Sequence, residues 1–290
     1  MIKIADGVDK FRVDEFAGIM YIYAEEGKPY GQIYGNVFKR DDEGRVLVTR
    51  EGKPLYETEK FIANAQPDWF GGWSNTFRFF DFDLGFSIDF QKGGNIWSYT
   101  SYQGARNGQT VMTLDGRLEA LQSWMFLGES DNERRGFLEA QWTNNPAASV
   151  IYDSRYADYE RQKGIRIDGC VYDESAGDLA GQPAFVWTSP TTFWQDCCAY
   201  NMPYYVYDTS YIKLREITLG YNVPERWIKK TRFFRNAKIS FVARNVCTFY
   251  QNTPKGMDPQ ASQASGNKIG FERGFSFPMS TYGFDIKLSF

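Results

Sequence analysis

The chain has 290 residues, 33 Lys and Arg against 36 Asp and Glu, a net charge of −3, and no His. Near-neutral charge gives no reason to expect nucleic acid as a partner, and Lys229-Lys230 and Arg134-Arg135 are too short for a polybasic arm. The lack of His removes the commonest general base and metal ligand, and no run of about 18–20 apolar residues is present to form a transmembrane helix. Aromatic residues are abundant (24 Phe, 19 Tyr and 8 Trp) and are broken by 27 Gly. That mixture favours strands and turns, so an all-β chain is expected. A mean hydropathy of −0.50 ordinarily indicates a soluble protein, but membrane barrels alternate apolar and polar residues and also average to polar.

Four cysteines, Cys170, Cys197, Cys198 and Cys247, lack the paired spacing of a zinc site and are too few for a disulfide scaffold. Incidental thiols or one disulfide in an extracytoplasmic loop both fit. The first residues, Met1 to Asp6, carry no apolar run of the signal-peptide kind. With the extracytoplasmic features below, Met1 is expected not to begin the natural full-length protein.

In chain order, Ile33–Phe38 and Val46–Thr49 flank Asp41-Asp42-Glu43-Gly44, which reads as a hairpin loop. Gln66-Pro67-Asp68 precedes a strand over Trp73–Phe80. Phe80-Asp81 is then a very short connection to the next strand, as on the periplasmic side of a barrel. In that next strand Phe82, Leu84, Phe86, Ile88 and Phe90 alternate with Asp83, Gly85, Ser87 and Asp89 in strict period two.

Residues Tyr99 to Asp208 are irregular, with a helix expected near Leu114–Leu127. A stretch of this kind inside one domain marks a functional loop. In Tyr211–Tyr221 the apolar phase slips between Leu214 and Ile217, which predicts a β-bulge. Ile239, Phe241 and Ala243 alternate again with Lys238, Ser240 and Arg244. The last strand places Tyr282, Phe284, Ile286, Leu288 and Phe290 on one face, with Gly283, Asp285, Lys287 and Ser289 on the other. If lipid replaces the core as the apolar phase, the apolar positions face outward and Asp83, Asp89, Asp285 and Lys287 face inward.

Asp81, Asp83 and Asp89 could pass for an acid–base set, since residues two apart on a strand meet the glycosidase carboxyl spacing by geometry alone. A solvated polar surface explains them equally. No nucleophile motif accompanies them, so no catalytic, metal or cofactor site is expected, and the chain is not expected to be an enzyme. Trp97, Trp124, Trp142, Trp187 and Trp194, in and near the long loop, are candidates for substrate contact by stacking. Loop packing or an interfacial aromatic girdle would also account for them.

Several segments resemble, in order, the closing third of the SusC/RagA-type TonB-dependent transporters. Gly27–Gly35 is similar to that family's G-x-P-x-G-x-x-Y-G stretch, and Pro67–Phe77 to its P-x-W-x-G-G-x-x-N-x-F segment. Trp142–Pro146 resembles W-T-x-x-N-P, one residue shorter. Tyr211–Pro224 resembles Y-x-K-L-R-x-x-T-L-G-Y-x-x-P, Arg244–Phe249 resembles x-N-L-x-T-F/L, and Met257-Asp258-Pro259 resembles x-D-P.

The resemblance implies an antiparallel transmembrane β-barrel segment. Residues 1–290 would form a partial barrel of about seven to nine strands with a long extracellular loop region containing a short helix. Nothing matches the family's plug domain or TonB-engaging segment, and the family barrel is of the 22-strand type. The chain alone is therefore expected to form an open sheet. By the resemblance the whole protein would import oligosaccharides or peptides across the outer membrane. Its partners would be a SusD-like surface lipoprotein, the TonB complex through the missing N-terminal part, and outer-membrane lipid. Tyr282, Phe284, Ile286, Leu288 and Phe290 would form the terminal strand read by the insertion machinery. The alternative from residues alone is a soluble, extracytoplasmic all-β carbohydrate-binding module.

Overall fold

The computed structural model describes residues 7–50, 53–114, 165–188, 193–231, 233–261, 269–274 and 279–290. Fifteen strands are found among them, in four sheets.

The largest sheet has five strands: β6 (Pro67–Phe79), β7 (Phe82–Gly93), β12 (Tyr211–Asn222), β13 (Asn236–Gln251) and β15 (Thr281–Ser289). Their spatial order is β15-β13-β12-β7-β6, every pairing is antiparallel, and β6 and β15 are open edges. The expected strands Trp73–Phe80, Phe82–Phe90, Tyr211–Tyr221, Ile239–Ala243 and Tyr282–Phe290 correspond to these five, with Phe80 and Phe290 just beyond the strand ends. The Phe80-Asp81 connection is as short as expected, with Phe80 at φ 51°. In β12 the register shifts between Leu214 and Glu216 against both neighbours. The bulge sits where the phase slips, and it returns Ile217, Leu219 and Tyr221 to the face already occupied by Ile212 and Leu214.

Four earlier strands form a sheet of their own. They are β1 (Lys10–Phe16), β2 (Met20–Glu25), β3 (Gln32–Phe38) and β5 (Tyr56–Asn64), hydrogen-bonded in that order. The apolar-faced sheet therefore has five strands, not seven to nine. Short β4 (Val46–Val48) is joined to β3 by the acidic loop, in which Asp41 Oδ1 accepts from the Glu43 and Arg45 amides. Its main partner is nevertheless β9 (Ile165–Tyr172), in parallel, and β9 also pairs with β10 (Pro183–Thr188).

The fourth sheet is short: β11 (Val206–Asp208), β8 (Asn95–Ser98) and β14 (Phe271–Glu272). β7 leads into β8 through Gly93 and Gly94, both with positive φ. A side chain at Gly94 would press on the Ala65 carbonyl and the Pro67 nitrogen. Hydrogen bonds close this corner: the Thr209 amide donates to Gly94 O at 3.0 Å, and the Gly93 amide to Ser210 Oγ at 2.8 Å. The three smaller sheets thus lie at the end of the five-stranded sheet opposite the Phe80-Asp81 turn.

Helix α1 (Tyr99–Arg106) follows β8. Ser98 caps it by accepting from the Ser101 amide. Nothing in its sequence announced it, because TSYQGA carries no apolar stripe. The helix expected near Leu114–Leu127 lies outside the described residues apart from Leu114. The main buried core joins α1 and β8 to the first sheet and includes Met20, Ile22, Ile33, Trp97, Tyr205 and Phe271. This core is in the end assembly. Among the described residues, none of the buried clusters lies on the apolar side of the five-stranded sheet.

Candidate functional site

The five-stranded sheet presents two chemically opposite faces. Phe77, Leu84, Leu219, Phe241 and Phe284 stand in register across all five strands, and Phe79, Phe82, Tyr221, Ile239 and Ile286 form the next row. Eight of these ten side chains are exposed, Leu84 by 45% and Phe284 by 77%, while Tyr221 and Phe241 are half-buried. Exposed aromatics mark both ends of the face, with Trp69 and Tyr250 at one and Phe79, Phe80 and Phe290 at the other. A contiguous exposed apolar surface of this size is foreign to a soluble monomer.

The other face is polar and carries paired charges. Asp83, only 5% exposed, accepts from Arg78 Nε at 2.7 Å, Asn222 Nδ2 at 3.0 Å and Lys238 Nζ at 2.5 Å. Arg215, the residue at the bulge, donates to Asp89 Oδ2 at 2.5 Å and to Asn245 Oδ1 at 3.2 Å. Arg244 is paired with Glu216 at 2.7 Å. Lys213 is buried against Asp258, while Gln260 accepts from Arg215 and donates to Tyr211 Oη at 2.7 Å. The Met257-Asp258-Pro259 segment is thus held against the Tyr211–Pro224 segment.

Ser74, Ser87, Asp89, Arg215, Glu216, Arg244 and Asn245 line an open groove of about 480 Å³ on this face. A smaller groove of about 270 Å³ is lined by Gln91, Thr209, Pro259 and Gln260, and Gln260 accepts from Arg215 of the first. Such surfaces donate and accept hydrogen bonds. Asp83 and Asp89 lie on this face as expected, each tied to cations, whereas Asp81 is in the turn. Asp285 shares the row of Asp83, Gly220 and Ser240.

Of the tryptophan candidates, the side chains of Trp97 and Trp194 are described, and both are buried. Trp97 is fully buried, packed on Phe16, Tyr102 and Phe271 with ring centroids at 5.0, 5.9 and 5.6 Å. Trp194 is 8% exposed and packs against Phe193. For these two the packing alternative describes their surroundings, since both belong to the core that includes Met20, Ile22 and Ile33 of the first sheet. Trp124, Trp142 and the side chain of Trp187 lie outside the described residues. Cys170 is buried and Cys247 is exposed; the side chains of Cys197 and Cys198 lie outside the described residues.

A tyrosine cluster on the first sheet escaped the sequence reading, although Tyr21 and Tyr23 alternate with Met20 and Ile22. Tyr21, Tyr23 and Tyr34 are buried together, with Lys10 Nζ 3.5 Å from the Tyr34 ring centroid. Tyr34 Oη donates to Glu25 Oε2 at 2.6 Å, and Lys28 pairs with Glu25 Oε1 at 2.7 Å. Burial, then the Glu25 contact, pushes the Tyr34 phenol up. The hydrogen bond from Lys28, then that from Tyr34, holds the Glu25 carboxyl down.

No family model matches the chain. It is 23% identical, over 324 aligned residues, to the TonB-dependent receptor P3 of Formosa agariphila, covering all of this chain and 25% of that protein. Its fold is similar to that in two solved structures of the RagAB peptide importer, in the closed-closed and open-open states. Both give a TM-score of 0.51 at 14% identity, covering 99% of this chain and 26% and 25% of theirs. The chain resembles a SusC/RagA-type TonB-dependent transporter. It spans about a quarter of the length of these relatives. Within the transporter-like fold, the quoted Tyr211–Pro224 and Pro67–Phe77 segments are neighbours of β7 on either side.

Proposed function

We propose that residues 1–290 form the C-terminal part of the barrel wall, with the loop assembly above it, of an outer-membrane TonB-dependent importer. The observation that carries this reading is the uncovered apolar face running across five strands. In water it would be a liability; in a bilayer it is the lipid-facing surface of a barrel. Trp69 and Phe79, ten residues apart on β6, bound a band of about 25 Å for a tilted strand. Short turns in such barrels are periplasmic and long connections extracellular. The Phe80-Asp81 end is then periplasmic, and the packed assembly around Trp97 is extracellular. The polar face lines the interior.

In this reading the plug domain and TonB-engaging segment lie elsewhere in the intact protein, a SusD-like surface lipoprotein covers the extracellular side, and the TonB complex supplies energy. The cargo is an oligosaccharide or peptide, and the segment binds and conducts rather than catalyses. Paired charges on the polar face support that reading, because each carboxylate is held by a cation instead of facing a second carboxyl.

The test is purification of the tagged intact protein from the outer membrane. Co-purification of a surface lipoprotein, with uptake abolished when TonB is removed, supports the importer. Recovery of the protein from the soluble fraction would favour the carbohydrate-binding module. The DNA immediately upstream offers a quick check, since the importer requires an in-frame plug domain.

A further inference from the structure

The connection between β12 and β13 is chemically unlike the rest of the chain. Its 13 residues, 223–235, contain Arg226, Lys229, Lys230, Arg232 and Arg235 against a single acid, Glu225, in a protein of net charge −3. The nearest turn adds one more acid, Asp81, whose carbonyl accepts from the Asn222 amide at 2.7 Å. Buried Ile228 anchors a helical turn, α2 (Glu225–Ile228), while Arg226, Trp227, Lys229 and Lys230 are exposed on it and just beyond it. Lys229 is paired with Glu225, and the Arg226 guanidinium lies 5.7 Å from the Trp227 ring centroid. Arg226, Lys230 and Arg235 have no ion pair among the described residues.

This basic segment adjoins the edge of the apolar face. Phe290 packs edge-on against Phe233 and at a tilt against Phe234, with ring centroids at 5.2 and 5.3 Å, and the Arg235 amide donates to Ser289 O at 2.7 Å. At this end of the molecule the apolar side chains thus give way to exposed Trp and Phe rings interspersed with cations that have no ion pair among the described residues. That matches the passage from acyl chains to the interfacial zone and phosphate in a lipid leaflet.

We infer that Arg226, Trp227, Lys229, Lys230, Phe233 and Arg235 form a docking surface for the phosphate headgroups of anionic glycerophospholipids in the leaflet on the short-turn side. The inference rests on the lipid-facing reading of the five-stranded sheet. Continuity with that face chooses lipid over a soluble anionic partner, because Trp227 and Phe233 would otherwise lie bare in water beside the cations. A cation near a membrane surface contributes about 1 kcal/mol toward anionic lipid, or roughly fivefold in local enrichment. Bound lipid would fix the vertical position of the β12–β13 hairpin in the bilayer.

The experiment uses the intact protein in phosphatidylcholine vesicles containing phosphatidylglycerol. Bromine is placed on the acyl chains of one lipid or the other at equal mole fraction. The Trp227 signal is the fluorescence difference between the protein and its Trp227→Phe variant. Preferential quenching by brominated phosphatidylglycerol, at least about fivefold, is expected. It should fall toward parity in Arg226→Gln/Lys229→Gln/Lys230→Gln, and in the unaltered protein at 1 M NaCl, where the screening length is about 3 Å. Lys53→Gln/Lys255→Gln, at the opposite end, should leave the preference unchanged. Equal quenching by both lipids in the unaltered protein overturns the inference while leaving the membrane reading intact. Absence of quenching by either lipid overturns both.

Discussion

Lys238 on β13 reaches Asp83 two strands away on β7, Nζ to Oδ2 at 2.5 Å, by laying its side chain over Gly220 of the intervening strand. A Cβ at position 220 would overlap Lys238 Cε. Gly220 is thus the gap through which a charge crosses β12, and Asp83, nearly buried, depends on it for one of its three partners. This ion pair ties β7 to β13 on the polar face, in addition to the backbone ladder through β12.

Gly220→Ala should therefore destabilise the protein clearly, by displacing Lys238 and leaving Asp83 with Arg78 and Asn222. Gly283→Ala is the control, because nothing lies within 4 Å of the carbon it adds; it should be neutral within about 0.5 kcal/mol. Heat-modifiable gel mobility of the detergent-purified protein compares the two. Equal effects would show that the crossing does not matter.

Leu219→Arg, in the middle of the apolar face, should cost about 2–4 kcal/mol when unfolding is measured in lipid vesicles, the figure for a cation at the mid-depth of a barrel's lipid face. The same change on a solvated surface is worth within about 0.5 kcal/mol. A near-zero result would place Leu219 in water.

Phe290→Asp, or deletion of Phe290, should slow or abolish membrane assembly with little change in the loop assembly. Phe290 closes the apolar side of β15 and makes ring contacts with Phe233 and Phe234, so both its lipid contact and an edge available for strand pairing would suffer. Surface labelling of cells expressing the intact protein measures this. Full surface expression would reduce Phe290 to the end of a strand.

The first sheet should be weakened by acid and by strong alkali. Glu25 has a depressed folded value, so its contribution is present above the ordinary glutamate range and is lost as pH falls through it. Tyr34 has a raised folded value. Its contribution is present below the ordinary phenol range and is lost as pH climbs above about 10, where the unfolded phenol ionises first. Glu25→Gln should cost about 0.2–1 kcal/mol at neutral pH, as for a partly exposed pair, and should flatten the acid limb. Amide exchange in β2 and β3 followed against pH reads both limbs. An unchanged acid limb in the variant would remove Glu25 from the explanation.

Much of the five-stranded sheet was legible because period two is a local property of the chain. Even the bulge could be read, since Leu214 and Ile217 could share a face only if a residue were inserted. Partner choice was not legible. Lys213 meets Asp258 across 45 residues and Arg215 meets Asp89 across 126, and no local pattern encodes such pairs. The strand count of the wall was too high because β1, β2, β3 and β5 hydrogen-bond into a separate sheet, a partner choice that no local pattern shows. Trp97 and Trp194 looked like loop aromatics for a similar reason: burial came from a distant sheet packing over them. Helix α1 depends on its Ser98 cap and on that packing, not on an amphipathic stripe.

Oxygen and polar-reagent accessibility of spin labels placed singly at positions 82 to 90, in the intact protein within a bilayer and with Cys247 replaced, tests most directly which phase the sheet faces. If the apolar face meets lipid, labels at Phe82, Leu84, Phe86 and Ile88 collide readily with oxygen and scarcely with a polar nickel chelate, while those at Asp83, Gly85 and Ser87 lose that lipid signature. Low oxygen collision at Leu84, Phe86 and Ile88, with immobilised labels as in a protein core, would contradict the lipid-facing sheet.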